Sequence, residues 1–295
     1  MASGLKWTSF LISVIVHVFG LFGNFASFII MSFTRMKSYS FSFYLTCLAV
    51  SDNAFLTFSL LIWINRGFRL FGLAIPIVAE SDIACRFIEY VPMAFRNSST
   101  WFICLICLER LVAVALPFMA RRLCRRSTAK YVSYFTFVAA FLSISYLPAV
   151  VRYRPGVGCT FDTSIVSLFL HFQLFNVLGL YLPVSIIVTC NVVIVIVLKR
   201  TIGEGKGGSK AEKSSQVTVM LLITSTAFVL LTAPDALFHI IVPVFPEHGF
   251  LAAVDEFLVV FYCTNFAVNF YLYTITGSEV RRTMIRGLRI VCKMS

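Results

Sequence analysis

The sequence predicts an all-α membrane protein: a bundle of seven transmembrane helices with its amino terminus outside and an amphipathic eighth helix on the cytoplasmic face. Of its 295 residues, 59% are hydrophobic and only 13% are charged, a balance that soluble globular domains do not have. Seven continuous apolar stretches are each long enough to cross about 30 Å of hydrocarbon. Because these stretches lack the alternating pattern of a membrane β-barrel, they predict helices.

The predicted spans follow one another along the whole chain with short connections. A helix rises about 1.5 Å per residue, so each span needs about 20 residues. The seven spans are Trp7–Phe33, Phe41–Ile64, Ile88–Val114, Lys130–Val151, Leu168–Leu198, Val217–Val244 and Val254–Ile275. Lys6 precedes the first apolar run, but that run is too long for a signal peptide and no cleavage pattern follows it.

Lys and Arg concentrate in every second connection, and such residues are retained on the cytoplasmic side of a membrane. These connections contain Arg35 and Lys37 after span 1, Arg121, Arg122, Arg125, Arg126 and Lys130 after span 3, Lys199, Arg200, Lys206, Lys210 and Lys213 after span 5, and Arg281, Arg282, Arg286, Arg289 and Lys293 after span 7. The amino terminus is therefore predicted to be extracellular, in a multi-pass protein of the plasma membrane. The net charge of +12 reflects this topology and an attraction to anionic inner-leaflet lipid, and we expect no nucleic-acid partner.

One membrane domain, residues 1–277, fills most of the chain, and residues 278–295 follow it as a cytoplasmic helix and tail. Gly277 ends the seventh helix and Ser278 can cap the next one. Apolar residues then repeat at helical spacing, at Val280, Met284, Leu288 and Val291. Lys and Arg fill the other face, which is typical of a helix in the membrane interface. Cys292 is a candidate palmitoylation site that would strengthen this attachment.

Polar side chains inside a span are costly in hydrocarbon, so each one is a candidate for function. Asp52, Ser99, Asn265 and Asn269 lie near mid-membrane depth on three different helices, the two asparagines on one helical face. Oxygen ligands around one carboxylate suit a hard monovalent cation with waters, so Asp52 is a candidate site for an allosteric sodium ion, and we expect no cofactor besides. A hydrogen-bonded water cluster is the alternative. Asn24 and Asn191, by contrast, are typical of asparagines that bridge helices.

Glu109 and Arg110 end the third span beside the basic connection, about 16 Å inward of Ser99 by helical rise. The two adjacent side chains can pair at the membrane edge, and the guanidinium could be released to an incoming partner. An arginine that snorkels to the interface is the alternative.

Two of the nine cysteines lie on the extracellular side, where disulfides form. Cys85 begins the third span and Cys159 follows the fourth, so we predict a disulfide between them. The cysteines within the spans are predicted to be small apolar fillers: Cys47, Cys104, Cys107, Cys190 and Cys263.

Several short motifs occur in a fixed order along the chain. They are Gly23-Asn24, Leu48–Asp52, Cys85, Glu109-Arg110-Leu111, Pro183, Phe228 with Pro234, and Asn269–Tyr273. Over essentially its whole length, the chain therefore resembles rhodopsin-like (class A) G-protein-coupled receptors. It departs from their pattern with Thr232 for the sixth-helix Trp, Phe270 for the seventh-helix Pro, Asn191 for the fifth-helix Tyr, Leu111 for the Tyr of Asp-Arg-Tyr, and no Trp in the fourth span. Since Phe270 has the N–H that a proline lacks, we expect the seventh helix to be straighter than in receptors with a proline at this position.

The resemblance implies a receptor that binds a ligand among the outer helix ends and opens a cytoplasmic cleft for a heterotrimeric G protein. Arrestin is a further candidate partner, and we expect no enzymatic reaction. The residues implied in coupling and activation are Glu109, Arg110, Phe228, Pro234, Asn269 and Tyr273.

The same resemblance narrows the range of ligand classes. Opsins need a lysine where this chain has Cys263, and amine receptors need an aspartate where it has Pro92. A peptide ligand is favoured, because the run Asn269–Gly277 is similar to invertebrate neuropeptide receptors of the FMRFamide-like kind. Candidate pocket residues are Glu89, Met93, Arg96, Asp235, His239, Asp255 and Glu256. Asp235 could accept a cation of the ligand, but we favour a pair between Arg96 and Asp235 in the empty pocket.

Two other classes compete with a peptide receptor. The phenylalanine-rich spans also suit a chemosensory or orphan receptor of the same fold that recognises a small lipid or odorant. A seven-span transporter or channel would need polar residues across the whole membrane, whereas here apolar stretches separate them into three groups.

Overall fold

A computed structural model describes residues 2–73, 81–154, 158–161, 171–203, 209–241, 249–278 and 280–286. Within these ranges, seven helices are long and apolar enough to cross a membrane. The predicted seven-helix bundle is thus confirmed. The span helices 1 to 7 run over Ala2–Phe33, Ser40–Leu70, Asp82–Ala115, Arg126–Ser143, Leu182–Gly203, Ser209–Ile241 and Gly249–Thr276.

Shorter elements connect these helices. A 3-10 turn, Arg35–Ser38, joins spans 1 and 2, and a short helix, Pro117–Leu123, joins spans 3 and 4. Strands β1 (Val151–Arg154) and β2 (Gly158–Phe161) form an antiparallel hairpin after span 4. Span 5 begins with a π-helical segment, His171–Tyr181.

The fourth span departs from its predicted extent, Lys130–Val151. The helix ends at Ser143, a separate turn covers Leu147–Val150, and Val151 already belongs to β1. Pro148 explains the break, because proline has no N–H to donate to the carbonyl four residues earlier and its ring clashes there.

Successive helices run in opposite directions, so the connections divide between the two ends of the bundle. The turn Arg35–Ser38, the short helix Pro117–Leu123 and the residues after Thr276 lie at what we call the basic end. The hairpin lies at the opposite end, the disulfide end. Beyond Gly277, residues 280–286 are helical. The predicted amphipathic eighth helix stays a prediction, because Leu288, Val291 and Cys292 lie outside the described residues.

The third span holds the centre of the bundle and has the largest buried share of the seven. Its buried side chains, including Phe102, Ile103 and Ile106, join the main apolar core with residues of spans 1, 2, 5, 6 and 7. This core lies between the polar residues at mid-span and those at the basic end. It is therefore the layer that separates the two polar groups.

Span 1 approaches span 7 closely at Gly20. A Cβ atom on Gly20 would lie 2.6 Å from Leu56 Cδ1 and 2.7 Å from Ala267 Cβ. Such distances are shorter than van der Waals contact, so only glycine allows this approach without a shift of the helices.

Replacing Gly20 with alanine should therefore push span 1 away from its neighbours. We expect the Gly20→Ala protein to lose about 1–3 kcal/mol of stability, the usual cost of overpacking. Gly4 is a matched control on the same helix, since a Cβ there would meet nothing within 4 Å. The melting temperatures of both purified variants measure the effect, and an equal melting temperature for Gly20→Ala and Gly4→Ala would contradict it.

Candidate functional site

Asp52 is completely buried at the middle of the bundle and both of its oxygens accept hydrogen bonds. Ser99 Oγ donates to Oδ1 at 2.5 Å, and Asn269 Nδ2 donates to Oδ2 at 2.8 Å. These bonds tie spans 2, 3 and 7 together. Asn265 is buried one turn away, and its Nδ2 has no hydrogen-bond partner among the described residues. Three of the four predicted residues are thus in direct contact.

Two other asparagines bridge helices, as the sequence predicts. Asn24 Nδ2 donates to the carbonyl of Phe266 at 2.8 Å and links spans 1 and 7. Asn191 exchanges hydrogen bonds with Ser225 at 2.9 and 3.1 Å and links spans 5 and 6. Span 7 remains α-helical through Phe270, because this residue keeps the N–H that a proline would lack.

Glu109 and Arg110 form a buried ion pair at the basic end. Arg110 Nη2 lies 3.1 Å from Glu109 Oε1, and each residue is only 8% exposed. The first turn of span 2 covers the pair: Ser40 Oγ donates to the same Glu109 oxygen, and the Arg110 guanidinium lies 4.9 Å from the Phe41 ring centroid. Arg110 is therefore enclosed by protein in this state and does not snorkel to the interface.

The connection after span 3 also contacts this pair. Cys124 Sγ donates to the Glu109 carbonyl at 3.8 Å. Burial, assisted by the Glu109 carboxylate, raises the pKa of the Cys124 thiol, so the thiol stays protonated and remains a donor. Sequence reasoning missed both Ser40 and Cys124, because neither belongs to a motif and each reaches Glu109 only through the packing of separate helices.

The residues implied in switching lie between these two polar groups. Phe228 and Tyr273 are nearly fully buried in the main core, and the Tyr273 hydroxyl has no hydrogen-bond partner among the described residues. Thr232 donates its hydroxyl to the Phe228 carbonyl at 2.8 Å, and Pro234, two residues after Thr232, interrupts the donor pattern of span 6. A buried hydroxyl without a partner costs about 1–3 kcal/mol, so Tyr273 would gain from an arrangement that supplies one.

Cys85 and Cys159 form a disulfide with a Cα–Cα distance of 5.4 Å, which confirms the prediction. The bond attaches the β1–β2 hairpin to the start of span 3. The Asp82 carboxylate adds a second attachment by accepting a hydrogen bond from the N–H of Tyr153 at 2.7 Å. The disulfide end therefore has a fixed cover over span 3.

The charged pocket candidates gather around Tyr262 of span 7. The Arg96 guanidinium lies 5.3 Å from the Tyr262 ring centroid, and both Arg96 and Asp235 lie within electrostatic range of its hydroxyl. Spans 3, 6 and 7 thus present a cation, an anion and an aromatic ring to one place. The side chain of His239 lies outside the described residues.

The remaining candidates lie at the edges of this group. Glu89 is within electrostatic range of Arg66 on span 2. Met93 packs against the apolar cluster around the disulfide. Glu256 accepts a hydrogen bond from Ser9 Oγ at 3.1 Å, which ties span 7 to span 1, and the neighbouring Asp255 is half-buried.

A polar chain through His17 was not predicted. The ring of His17 is buried, with Nδ1 2.6 Å from the Ser13 carbonyl and Nε2 2.8 Å from Ser59 Oγ. Ser59 Oγ in turn lies 3.9 Å from Cys263 Sγ, so Cys263 is part of a hydrogen-bond chain and the prediction that it is an apolar filler is incomplete. An ionisable residue in an apolar run, four residues after a serine, was the available signal.

Comparisons with known proteins agree with this architecture. Residues 23–273 match the family described as 7 transmembrane receptor (rhodopsin family). The chain is 23% identical to the FMRFamide receptor of Drosophila melanogaster, over 95% of its own length and 53% of that receptor. It is 25% identical to the somatostatin receptor type 1 of Rattus norvegicus, over 95% of its length and 71% of that receptor. It spans about half the length of the fly relative.

Neutralising Arg96 should leave Asp235 without its cation. We expect the Arg96→Gln variant to reach the cell surface at severalfold lower levels, because losing one partner strands the other charge, at a cost of about 3–5 kcal/mol. The double variant Arg96→Gln/Asp235→Asn should recover the surface level of the wild type. Surface expression and melting temperature measure both, and a single variant that behaves like the wild type would refute the pairing.

Proposed function

The chain belongs to the rhodopsin family of seven-transmembrane receptors, and we propose that it binds an extracellular neuropeptide at the disulfide end and activates a heterotrimeric G protein at the basic end. The observation that carries this proposal is the Glu109–Arg110 pair, which is enclosed at the basic end by Ser40 and Phe41. In this orientation the amino terminus is extracellular and the basic end faces the cytoplasm.

Release of Arg110 is the event that would prepare the basic end for a partner. In the described state its guanidinium bonds one carboxylate and lies against one aromatic ring, and burial keeps its other N–H donors away from a cytoplasmic partner. A G protein that accepts hydrogen bonds from a released Arg110 binds the open state only, and by linkage it shifts the population toward that state. Arrestin would use the same opened end.

The cluster of Asp52, Ser99 and Asn269, which we call the Asp52 cluster, would transmit changes from the disulfide end to the basic end. Its hydrogen bonds hold spans 2, 3 and 7 together, so a movement of span 7 must break the bond from Asn269 or carry Asp52 with it. The apolar layer of Phe102, Ile103 and Ile106 separates this cluster from Glu109. Such an apolar layer opposes the continuous polar path that a transporter or channel needs.

A sodium ion fits the donor set of this cluster. Asp52 and Ser99 would hold it through carboxylate and hydroxyl oxygens. Asn265 would add its amide oxygen, since no hydrogen bond from its Nδ2 fixes the amide among the described residues. The ion would supply a positive charge opposite the buried carboxylate. Asp52 could then keep spans 2, 3 and 7 in the closed arrangement with its charge compensated.

A peptide is the ligand class that the disulfide end favours. The pocket candidates Arg96, Asp235, Glu89 and Glu256 supply both signs of charge, which suit the amides and charged side chains of a peptide better than a lipid. Relatives named as receptors for FMRFamide and for somatostatin support the same class. A small lipid or odorant remains the alternative ligand that the ligand screen distinguishes.

The proposal is tested by a ligand screen with guanine-nucleotide exchange as the readout. The receptor, reconstituted with a heterotrimeric G protein, is challenged with a library of amidated neuropeptides and, in parallel, with lipids and odorants. A peptide should stimulate exchange in the wild type and not in the Arg110→Ala variant. A response that does not need Arg110, or ion flux without nucleotide exchange, would sink the proposal.

Removing the Ser40 hydroxyl should loosen the enclosed pair. A hydrogen bond to a charged group contributes about 1.5–3 kcal/mol, so the Ser40→Ala variant should show basal nucleotide exchange raised by roughly tenfold. Ser42→Ala is the matched control, because Ser42 lies on the same helix and contacts Met31 instead of Glu109. Equal basal exchange in the two variants would show that Ser40 does not restrain Arg110.

A further inference from the structure

A concave basic site lies at the basic end, between the turn that joins spans 1 and 2 and the helix that follows span 7. Arg35 and Lys37 line one wall, and Arg282 and Arg286 line the other. Its volume is about 640 Å³, within the usual range of about 300–1,000 Å³ for small-molecule sites. None of the described residues that line this site, which we call the basic cleft, is acidic.

The wall from the first connection is held in a fixed shape. The Thr34 hydroxyl caps the 3-10 turn by accepting the N–H of Met36 at 3.2 Å, and the Met36 side chain is buried in the main core. Because Met36 points inward, its neighbours Arg35 and Lys37 are exposed on the outer side of the turn. The guanidinium of Arg126 also donates to the Lys37 carbonyl, which fixes the turn from span 4.

The second wall is the helix that follows span 7, and its arginines have two different roles. Val280 is buried and anchors the helix against the bundle. Arg281 donates to the carbonyls of Ile275 at 2.9 Å and Thr274 at 3.4 Å, so it caps the end of span 7. Arg282 and Arg286 are four residues apart, on one helical face, and line the cleft.

The cleft lies at the level where the apolar surface of the bundle ends. Phe33 and Ile275, the exposed apolar residues near the ends of spans 1 and 7, are 72% and 70% exposed. Arg35 follows Phe33 by two residues, so the change from lipid-facing to cationic surface occurs within one turn. Tyr39, at the rim of the cleft, is a residue type enriched at membrane interfaces.

We propose that the basic cleft binds the phosphorylated headgroup of a phosphoinositide in the inner leaflet. Guanidinium groups match phosphate oxygens with paired hydrogen bonds, and Lys37 adds a point charge. A headgroup with several phosphates complements four cations, whereas phosphatidylserine brings one net negative charge. The hydroxyls of Ser38, Tyr39 and Thr283 line the same cleft and can donate to phosphate. The inference rests on the proposed orientation, which places the basic end in the cytoplasm.

The test measures lipid retention by the full-length receptor in nanodiscs. The bilayers contain phosphatidylcholine and phosphatidylserine, with or without phosphatidylinositol 4,5-bisphosphate, and native mass spectrometry counts the lipids that stay bound. The wild type should retain the phosphoinositide in preference to phosphatidylserine. At about 1 kcal/mol for each basic residue near an anionic surface, Arg282→Gln/Arg286→Gln should lower this retention about thirtyfold.

Two further variants distinguish a loss of lipid binding in the cleft from effects of overall charge and from folding defects. Arg121→Gln/Arg122→Gln removes the same charge from exposed residues of the short helix Pro117–Leu123 and should retain the lipid like the wild type. Arg282→Lys/Arg286→Lys preserves the charge and should fall between the wild type and the glutamine variant. All variants are compared as monodisperse protein of equal melting temperature in detergent.

Three results would overturn the proposal: equal losses in the two glutamine variants, equal retention of phosphatidylserine, or binding of soluble inositol 1,4,5-trisphosphate as tight as that of the lipid. The last result would identify a site for a soluble anion. Retention is measured without G protein or peptide. A receptor that retains the lipid but never catalyses nucleotide exchange would therefore argue against the proposed function and leave this inference intact.

Discussion

The buried carboxylate of Asp52 is the interaction on which the arrangement of the bundle depends. In hydrocarbon no water is available to hydrogen-bond a polar group, so each of its oxygens must find a donor inside the protein. Ser99 and Asn269 supply these donors from two other helices. The relative position of spans 2, 3 and 7 is thereby fixed at mid-membrane depth. Helix packing by small residues, as at Gly20, then brings span 1 close enough for Asn24 to bond the Phe266 carbonyl.

The same constraint explains why the two ends of the bundle can influence each other. Span 3 carries Cys85 at one end, Ser99 in the middle and Glu109-Arg110 at the other. One rigid helix therefore links the disulfide, the buried cluster and the basic end. Span 6 contributes Phe228 and Thr232 beside it, without the tryptophan that the family usually has there. In the proposed receptor, a small Thr232 that bonds its own helix would transmit ligand contact less directly, and more of the coupling would fall on spans 3 and 7.

The basic end combines two uses of positive charge. Arg110 is buried, paired and covered, which keeps it out of reach until the helices move. Arg35, Lys37, Arg282 and Arg286 are instead arranged around an open cleft at the lipid boundary. Both arrangements depend on hydrogen bonds from neighbouring elements. Ser40 Oγ donates to the Glu109 carboxylate in the first case, and Thr34 and Arg126 bond the backbone of the turn in the second.

The sequence by itself determined the seven spans, the basic end, the Cys85–Cys159 disulfide and the members of the Asp52 cluster. These follow from apolar length, charge asymmetry and the high cost of polar groups in hydrocarbon, which act on each segment separately. The early end of span 4 follows from Pro148, a local signal that the sequence also contained. Only the tertiary structure decided that Ser40 and Cys124 reach Glu109 and that His17 joins Cys263 through Ser59. Each of these contacts joins residues of different elements, and the distances depend on the rotation and depth at which whole helices pack. A local pattern does not contain that information, because many rotations bury the same apolar face equally well.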